Sequence, residues 1–149
     1  MKYIEFSIIL IAFTSCELGS VFGPKIPGIE IEKENLGLSW DQSGNRRYLG
    51  KLFSGYIVQK NQKKVLLNKT PFYKGLQEGN MLGYYDDGTK RHQRPYLHGK
   101  KHGIHLGWYS NGILKFEYHF ENGKNVGNHK EWYPDGSPMQ DRNYVNGQA

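Results

Sequence analysis

The chain has 149 residues, a formal net charge of +6 and a single cysteine. This length suits one ordinary domain, and one cysteine excludes an intrachain disulfide. Aromatic residues make up 14% of the chain and glycines number 19, which favours a turn-rich β fold over a helical one. The basic balance favours acidic partners without choosing among proteins, anionic lipids and nucleic acids.

The first residues have the pattern of an export signal. Lys2 precedes an apolar run from Phe6 to Phe13, which is too short to span a bilayer but suits a secretory signal. Cys16 lies where a lipoprotein signal places the residue that is acylated, and the segment resembles a bacterial lipobox. We therefore predict a signal peptide at 1–15 and lipidation at Cys16, with a plain secretory signal cut slightly later as the alternative.

Residues 16–45 are predicted to be a tether that leads into the repeats. Glycine and proline recur at short intervals in "ELGSVFGPKIPG", which favours irregular structure. Ile29 and Ile31 then alternate with Glu30 and Glu32, a pattern that predicts a short strand.

From residue 46 onward the sequence repeats with a period of 24 residues. The period is carried by columns of equivalent residues, of which the structural glycines are Gly55, Gly79, Gly103 and Gly127, and Gly88, Gly112 and Gly136. Tyr85, Tyr109 and Tyr133 follow the same step, as do Phe72, Tyr96, Phe120 and Tyr144. Several columns in one register indicate tandem structural units.

Each unit holds two turn signals, which predict an antiparallel β-meander. One is Asp-Gly or Asn-Gly, as at Asn111-Gly112, and the other is the pair ending at Gly99, Gly123 or Gly147. Both are predicted to be two-residue type I′ turns. A two-residue loop at Asn111-Gly112 pairs Trp108 with Lys115, and places glycines such as Gly103 opposite aromatic rings that would cover them.

The unit "GIHLGWYSNGILKFEYHFENGK" resembles the MORN repeat variant, through segments such as "WYSNG" and "WYPDG" and through the "ENGK" turn. The resemblance implies an all-β fold, a single-layer antiparallel meander of stacked hairpins. It covers 75–147 well, and the repeat domain is predicted at 46–149. Its units are about 51–74, which is degenerate because Lys64 replaces a turn glycine, then 75–98, 99–122 and 123–147.

No catalytic constellation, cofactor motif or metal site is predicted. His98, His102 and His105 invite a metal hypothesis, but they fall in different columns of the repeat, which argues against convergence on one ion. The serines Ser110 and Ser137 lie at turns, without a base and an orienting group beside them. We therefore expect a protein that is not an enzyme.

The aromatic side chains are the candidate contact surface. The binding candidates are Trp108, Tyr109, Phe116, Tyr118, Trp132 and Tyr133, each of which could instead serve only as core. We expect a membrane-anchored lipoprotein of the bacterial cell envelope, periplasmic or surface-exposed, that binds an unknown protein partner. An antitoxin or immunity role is the most specific version that the resemblance implies.

An envelope module that binds anionic lipid or glycan is the alternative. Nucleic acid is disfavoured by export, although a basic stretch contains Arg91 and Arg94. Edge-to-edge self-association is possible because an open meander has unpaired edges.

Overall fold

The computed structural model describes residues 23–145 and 147–148. The predicted signal peptide, Cys16 and Asn146 lie outside these residues. The described residues form strands and turns with no helix, so none of them forms a helix that could span a membrane.

The chain is an all-β meander, as predicted from the repeat. Each unit consists of a strand of six residues, a strand of seven or eight, and, in the first three units, a two-residue strand after the second turn. The long strands are β5 (Gly55–Lys60), β6 (Leu66–Tyr73), β8 (Gly79–Tyr84), β9 (Lys90–Leu97), β11 (Gly103–Trp108), β12 (Leu114–Glu121), β14 (Gly127–Trp132) and β15 (Pro138–Tyr144). The short strands are β7 (Leu76–Gln77), β10 (Lys100–Lys101) and β13 (Lys124–Asn125). Neighbouring long strands pair antiparallel in chain order, and β1 (Glu30–Glu32) adds to β5 in parallel.

The two turn classes differ in geometry, which corrects one prediction. In the turn at Asn122-Gly123 both residues have positive φ, 51° and 86°, as a two-residue type I′ loop requires. At Asn111-Gly112 only the glycine does, with φ 83°. There the Gly112 N–H donates to the Tyr109 carbonyl at 3.0 Å, and the Tyr109 N–H donates to the Ile113 carbonyl at 2.9 Å. The Asp-Gly and Asn-Gly loops are therefore three-residue loops, and the two-residue prediction for them is wrong.

A β-bulge follows each three-residue loop and restores the register. Trp108 pairs with Leu114 rather than with the predicted Lys115, while Gly107 pairs with Phe116 as predicted. The residues skipped by the ladder recur every 24 positions, at Leu67, Arg91, Lys115 and Met139. The longer loop shifts the pairing by one residue and the bulge shifts it back.

The first unit keeps the turn geometry of the others although it lacks the turn glycine. Lys64 adopts φ 64°, and its N–H donates to the Asn61 carbonyl at 2.9 Å, in the same way as Gly112 bonds to Tyr109. The Asn61 side chain accepts the N–H groups of Lys63 and Val65. These side-chain bonds hold the loop in a conformation that a residue with a Cβ otherwise avoids.

A shortened hairpin precedes the first predicted unit. Strands β2 (Leu38–Trp40), β3 (Arg46–Tyr48) and β4 (Lys51–Leu52) form a separate three-stranded sheet. β2 pairs with β3 across the boundary that the sequence placed between 45 and 46. The Gly75 N–H bonds to the Phe53 carbonyl at 2.7 Å, just as Gly99 bonds to Gln77 one unit later. This hairpin therefore stacks on the array like a further unit.

The buried core lies beneath this N-terminal hairpin. Phe53, Ile57 and Phe72 form the buried cluster, and Tyr48 is one of the partly buried residues that pack against it. The Trp40 ring meets the Phe72 ring edge-on, with centroids 6.2 Å apart. The hairpin thus covers apolar side chains of the first unit that a lone sheet layer would leave wet.

Candidate functional site

One face of the sheet carries a continuous row of rings, which we call the ring face. Its side chains come from alternate residues of the strands, so that His105 lies opposite Tyr118, and His129 opposite Arg142. Phe116 stacks on Tyr118 with centroids 4.6 Å apart, and Tyr118 stacks on His129 at 4.9 Å. Rings on this face therefore pack along a strand, as Phe116 does on Tyr118 within β12, and across strands of successive units, as Tyr118 does on His129 of β14.

His105 and His129 belong to this packing. His105 is 3% exposed, and its ring Nε2 donates to the Pro95 carbonyl at 2.8 Å. His129 makes the equivalent bond to the His119 carbonyl at 2.9 Å. Burial lowers the pKa of His105, because the charged imidazolium would lose its hydration there. These two histidines act as polar rings in the packed layer.

Glycines on this face make room for rings at Gly107, which was predicted to face Phe116, and at Gly83, which was not predicted. A Cβ placed on Gly107 would lie 2.2 Å from the Phe116 ring, and one on Gly83 would lie 2.1 Å from the His92 ring. At Gly103 the nearest group is instead the Pro95 side chain, at 3.3 Å, and no atom of Phe120 is among the nearest. The ring-cover explanation is thus wrong for Gly103, where φ of 72° is what favours glycine.

The six predicted binding candidates fall into three groups. Trp108 and Phe116 come together beside one junction between units, with Tyr118 stacked on Phe116. Tyr109 uses its hydroxyl to bond the Trp132 carbonyl at 2.9 Å, so it joins one unit to the next. Tyr133 lies in the last hairpin and is 47% exposed.

A groove of about 300 Å³ opens between the second and third units, and we call it the basic groove. Its lining residues are Tyr85, Arg91, His92, Arg94, Trp108, Lys115 and Phe116. The Tyr85 hydroxyl donates to the Trp108 carbonyl at 2.7 Å and so ties the two units together at the groove. The Arg94 guanidinium lies 5.8 Å from the centre of the Phe116 ring, within reach of a cation–π contact.

Among the described residues, the three cations of the basic groove have no acidic partner. Within residues 23–145 and 147–148, no ion pair involves Arg91, Arg94 or Lys115. The nearest polar contact of Arg91 is a long one, 3.4 Å from Nη2 to the Asn68 side-chain oxygen. Positive charge is therefore concentrated over an aromatic lining.

His92 is the neutral member of the groove. It is 7% exposed, and its Nε2 is buried with no hydrogen-bond partner among the residues that the structure describes. Desolvation, followed by the charges of Arg94 and Arg91, lowers the pKa of His92 to about 4. At neutral pH the groove thus holds an uncharged imidazole between fixed cations.

Sequence reasoning found the basic stretch around Arg91 and Arg94 but missed Lys115 and His92 as neighbours. The available signal was the column of residues skipped by the ladder, which is basic at Arg91 and Lys115, and this column is recognised only once the bulge is known. A two-residue loop places Lys115 opposite Trp108 and hides the bulge. The sequence alone therefore does not show that these residues lie together, because their proximity depends on the register of the strands.

His98 and His105, two of the histidines considered as metal ligands, bond to different groups of the protein. The His98 N–H and its ring Nδ1 both contact Glu78, at 2.7 and 3.2 Å from Oε2, and the Glu78 carboxylate is buried. His105 bonds Pro95, as described above. Among the described residues no three His, Cys, Asp or Glu side chains are grouped to hold a metal ion.

Comparison with known protein families gives two matches in the repeat region. Residues 101–122 and 125–146 each match the family described as MORN repeat variant. No curated protein matches the sequence. The matched segments coincide with the third and fourth hairpins, whose strands are β11–β12 and β14–β15. Residues 101–122 and 125–146 are therefore similar to the MORN repeat variant, which is the family that the repeat unit resembles.

Proposed function

We propose that the chain is a non-catalytic, membrane-anchored lipoprotein whose repeat sheet binds a protein partner. MORN repeats in general are protein- or membrane-binding repeats. The observation that carries the proposal is the basic groove, in which His92 and Phe116 of the ring face lie beside three cations. Aromatic residues and arginine are the residue types that dominate the energetics of protein interfaces.

The partner is expected to be acidic at its contact surface. Three cations that have no acidic partner in the described part of the chain line the groove. Charge complementarity both speeds association and selects the partner. An immunity or antitoxin role is the most specific form of this proposal, because such a protein acts by binding one partner tightly. The Cys16 anchor would hold the sheet at the envelope membrane, where that partner would be met.

The test is affinity isolation of the exported domain from its own cell envelope after crosslinking. A second bait carries Arg91→Glu and Arg94→Glu, and a third carries Arg142→Glu as a control. Arg142 occupies the column of Arg94 two units along, about 19 Å away across four strand spacings. We expect one partner with the native and Arg142→Glu baits and none with the double variant. Recovery of no protein by any bait would refute the scaffold proposal.

A lipid- or glycan-binding module is the second candidate, favoured by the same unpaired cations. Anionic vesicles of phosphatidylserine should then sediment the domain at low salt and release it as ionic strength rises. Vesicles of phosphatidylcholine alone serve as the control. The anchor itself is tested with Cys16→Ala, which should leave the membrane fraction; continued membrane extraction of that variant would contradict lipidation.

A further inference from the structure

We propose that the basic groove binds an aromatic anion, a group in which a phosphate or carboxylate lies within a few bonds of an aromatic ring. The inference deepens the scaffold proposal, and it rests on that proposal in treating the basic groove as part of the binding surface. A ligand of this kind is either a free small molecule or a terminal group on a partner chain. Both sources present the same chemistry to the groove.

The cations converge from two units of the repeat. Arg91 is the residue skipped by the ladder in β9, Arg94 follows three residues later, and Lys115 is skipped in β12. All three line the same groove of about 300 Å³. Like charges at short range repel one another, and an anion placed among them would relieve that repulsion. Guanidinium groups also match the geometry of phosphate and carboxylate oxygens.

The fold does not require these charges, which is why they indicate a ligand. The column of skipped residues holds Leu67 in the first unit and Met139 in the fourth. The same bulge therefore forms with an apolar side chain. Arg91 and Lys115 are basic only at the two middle positions, on either side of one junction. Basic side chains that the repeat does not need are therefore confined to the junction between the second and third units, where the groove opens.

The rings that line the groove would hold the aromatic part of the ligand. Trp108 and Phe116 lie beside Tyr85, whose hydroxyl is fixed on the Trp108 carbonyl. The Tyr118 ring stacks on the Phe116 ring, and Gly107, which has no side chain, leaves the space that the Phe116 ring occupies. Rings fixed in this way offer a surface for stacking at low entropic cost. A volume of about 300 Å³ is at the lower end of the range for small-molecule sites.

His92 adds a polar group to the groove, and its pKa serves as a readout of anion binding. Its side chain is buried in the groove wall, and its Nε2 has no partner among the described residues. The charges of Arg94 and Arg91 help to hold its pKa down. An anion bound between those arginines would offset their effect, so the His92 pKa should rise on binding. This change is a readout that a purely structural role of the arginines would not produce.

The experiment is an NMR titration of the folded protein at low salt with four probes. Phenyl phosphate represents a small ligand, and N-acetylphenylalanine represents the last residue of a partner chain. Inorganic phosphate lacks the ring, and benzyl alcohol lacks the charge. We expect phenyl phosphate or N-acetylphenylalanine to shift the signals of His92, Trp108 and Phe116. The better of the two should bind about tenfold more tightly than inorganic phosphate, because one stacked ring is worth about that factor.

Two variants assign the binding to the groove. Arg94→Ala should weaken the better probe about tenfold, which is the value of one charge-assisted hydrogen bond. Arg142→Ala removes the same residue type from the same column two units away, and it should leave the affinity within about twofold. A circular dichroism melt of each variant confirms that it is folded.

Three results would overturn the inference. They are an absence of shifts at His92 with every probe, equal affinities for phosphate and the aromatic anions, and equal losses in the two arginine variants. Each is independent of the affinity isolation. Capture of a partner without probe binding would overturn the groove assignment alone, whereas probe binding without any partner would support the groove and refute the scaffold.

Discussion

Gly107 is the position where the packing of the ring face can be tested most directly. Its φ is not positive, so alanine fits the backbone, but a Cβ there would lie 2.2 Å from Cε1 and 2.5 Å from Cζ of Phe116. Real carbon atoms do not approach so closely, and the Phe116 ring must therefore move. That ring is stacked on Tyr118 at 4.6 Å, which restricts where it can go.

Gly107→Ala should therefore destabilise the fold by about 1–3 kcal/mol, the usual cost of overpacking. For a chain of this length that corresponds to a fall in the melting temperature of about 3 °C per kcal/mol. The free energy of unfolding is measured by urea denaturation followed by tryptophan fluorescence and circular dichroism. Agreement of the two probes checks that the transition is cooperative.

A double-mutant cycle with Phe116→Ala measures how much of this cost comes from the Phe116 ring. Once the ring is gone, the added methyl group has space, and Gly107→Ala should become neutral or stabilising by about 0.5 kcal/mol, because alanine restricts the unfolded chain. The coupling between the two sites should thus exceed about 1 kcal/mol. An equal cost of Gly107→Ala with and without the ring would refute the explanation.

Three further predictions concern the turns, the unit junctions and pH. Lys64→Gly should raise the free energy of unfolding by about 1 kcal/mol in urea denaturation, since it relieves a left-handed φ of 64°, whereas Lys63→Gly should not. Tyr109→Phe should cost about 1 kcal/mol in the same assay by removing the hydrogen bond to the Trp132 carbonyl, and an unchanged midpoint would contradict that role. The pKa of His92 is lowered to about 4 in the folded state, whereas a histidine in the unfolded chain has a pKa of about 6.5. Between these two values the unfolded chain binds more protons than the folded protein. The free energy of unfolding should therefore fall as the pH drops from about 6.5 towards 4. His92→Gln, which copies Gln140 of the same column, should flatten part of this decline in melting temperature; an unaltered decline would contradict the assignment.

The period of 24 residues was sufficient to predict the hairpins, because turn glycines and strand aromatics recur with it. Most of the pairing was predictable as well, including Gly103 with Phe120 and Gly107 with Phe116. The loop type was not, since Asn-Gly suits both a two-residue and a three-residue loop. In this chain Asn111 bonds the Ile113 N–H through its side chain, and that contact accompanies the longer form.

The groove and the N-terminal hairpin escaped prediction for different reasons. The groove depends on which residues the ladder skips, and a bulge leaves no mark in the glycine columns. The hairpin at 38–48 has strands of three residues and departs from the 24-residue spacing, so no column includes it. Its turn nevertheless follows the same bonding scheme, with the Gly44 N–H donating to the Asp41 carbonyl at 3.0 Å. Short elements that are held by the rest of the array are weakly encoded in local sequence.

Hydrogen bonds run from each unit to the next, so the stability of the array is approximately a sum of contributions from single hairpins and from contacts between neighbours. Gly75, Gly99 and Gly123 each donate to a carbonyl 22 residues earlier, so each hairpin interacts chiefly with its two neighbours. Within residues 23–145 and 147–148, the hairpin of β14 and β15 has such a neighbour on one side, while the first unit is covered by the N-terminal hairpin. Amide protection should therefore decline along the array from the covered end, and unfolding should proceed as fraying of hairpins from β15 inward.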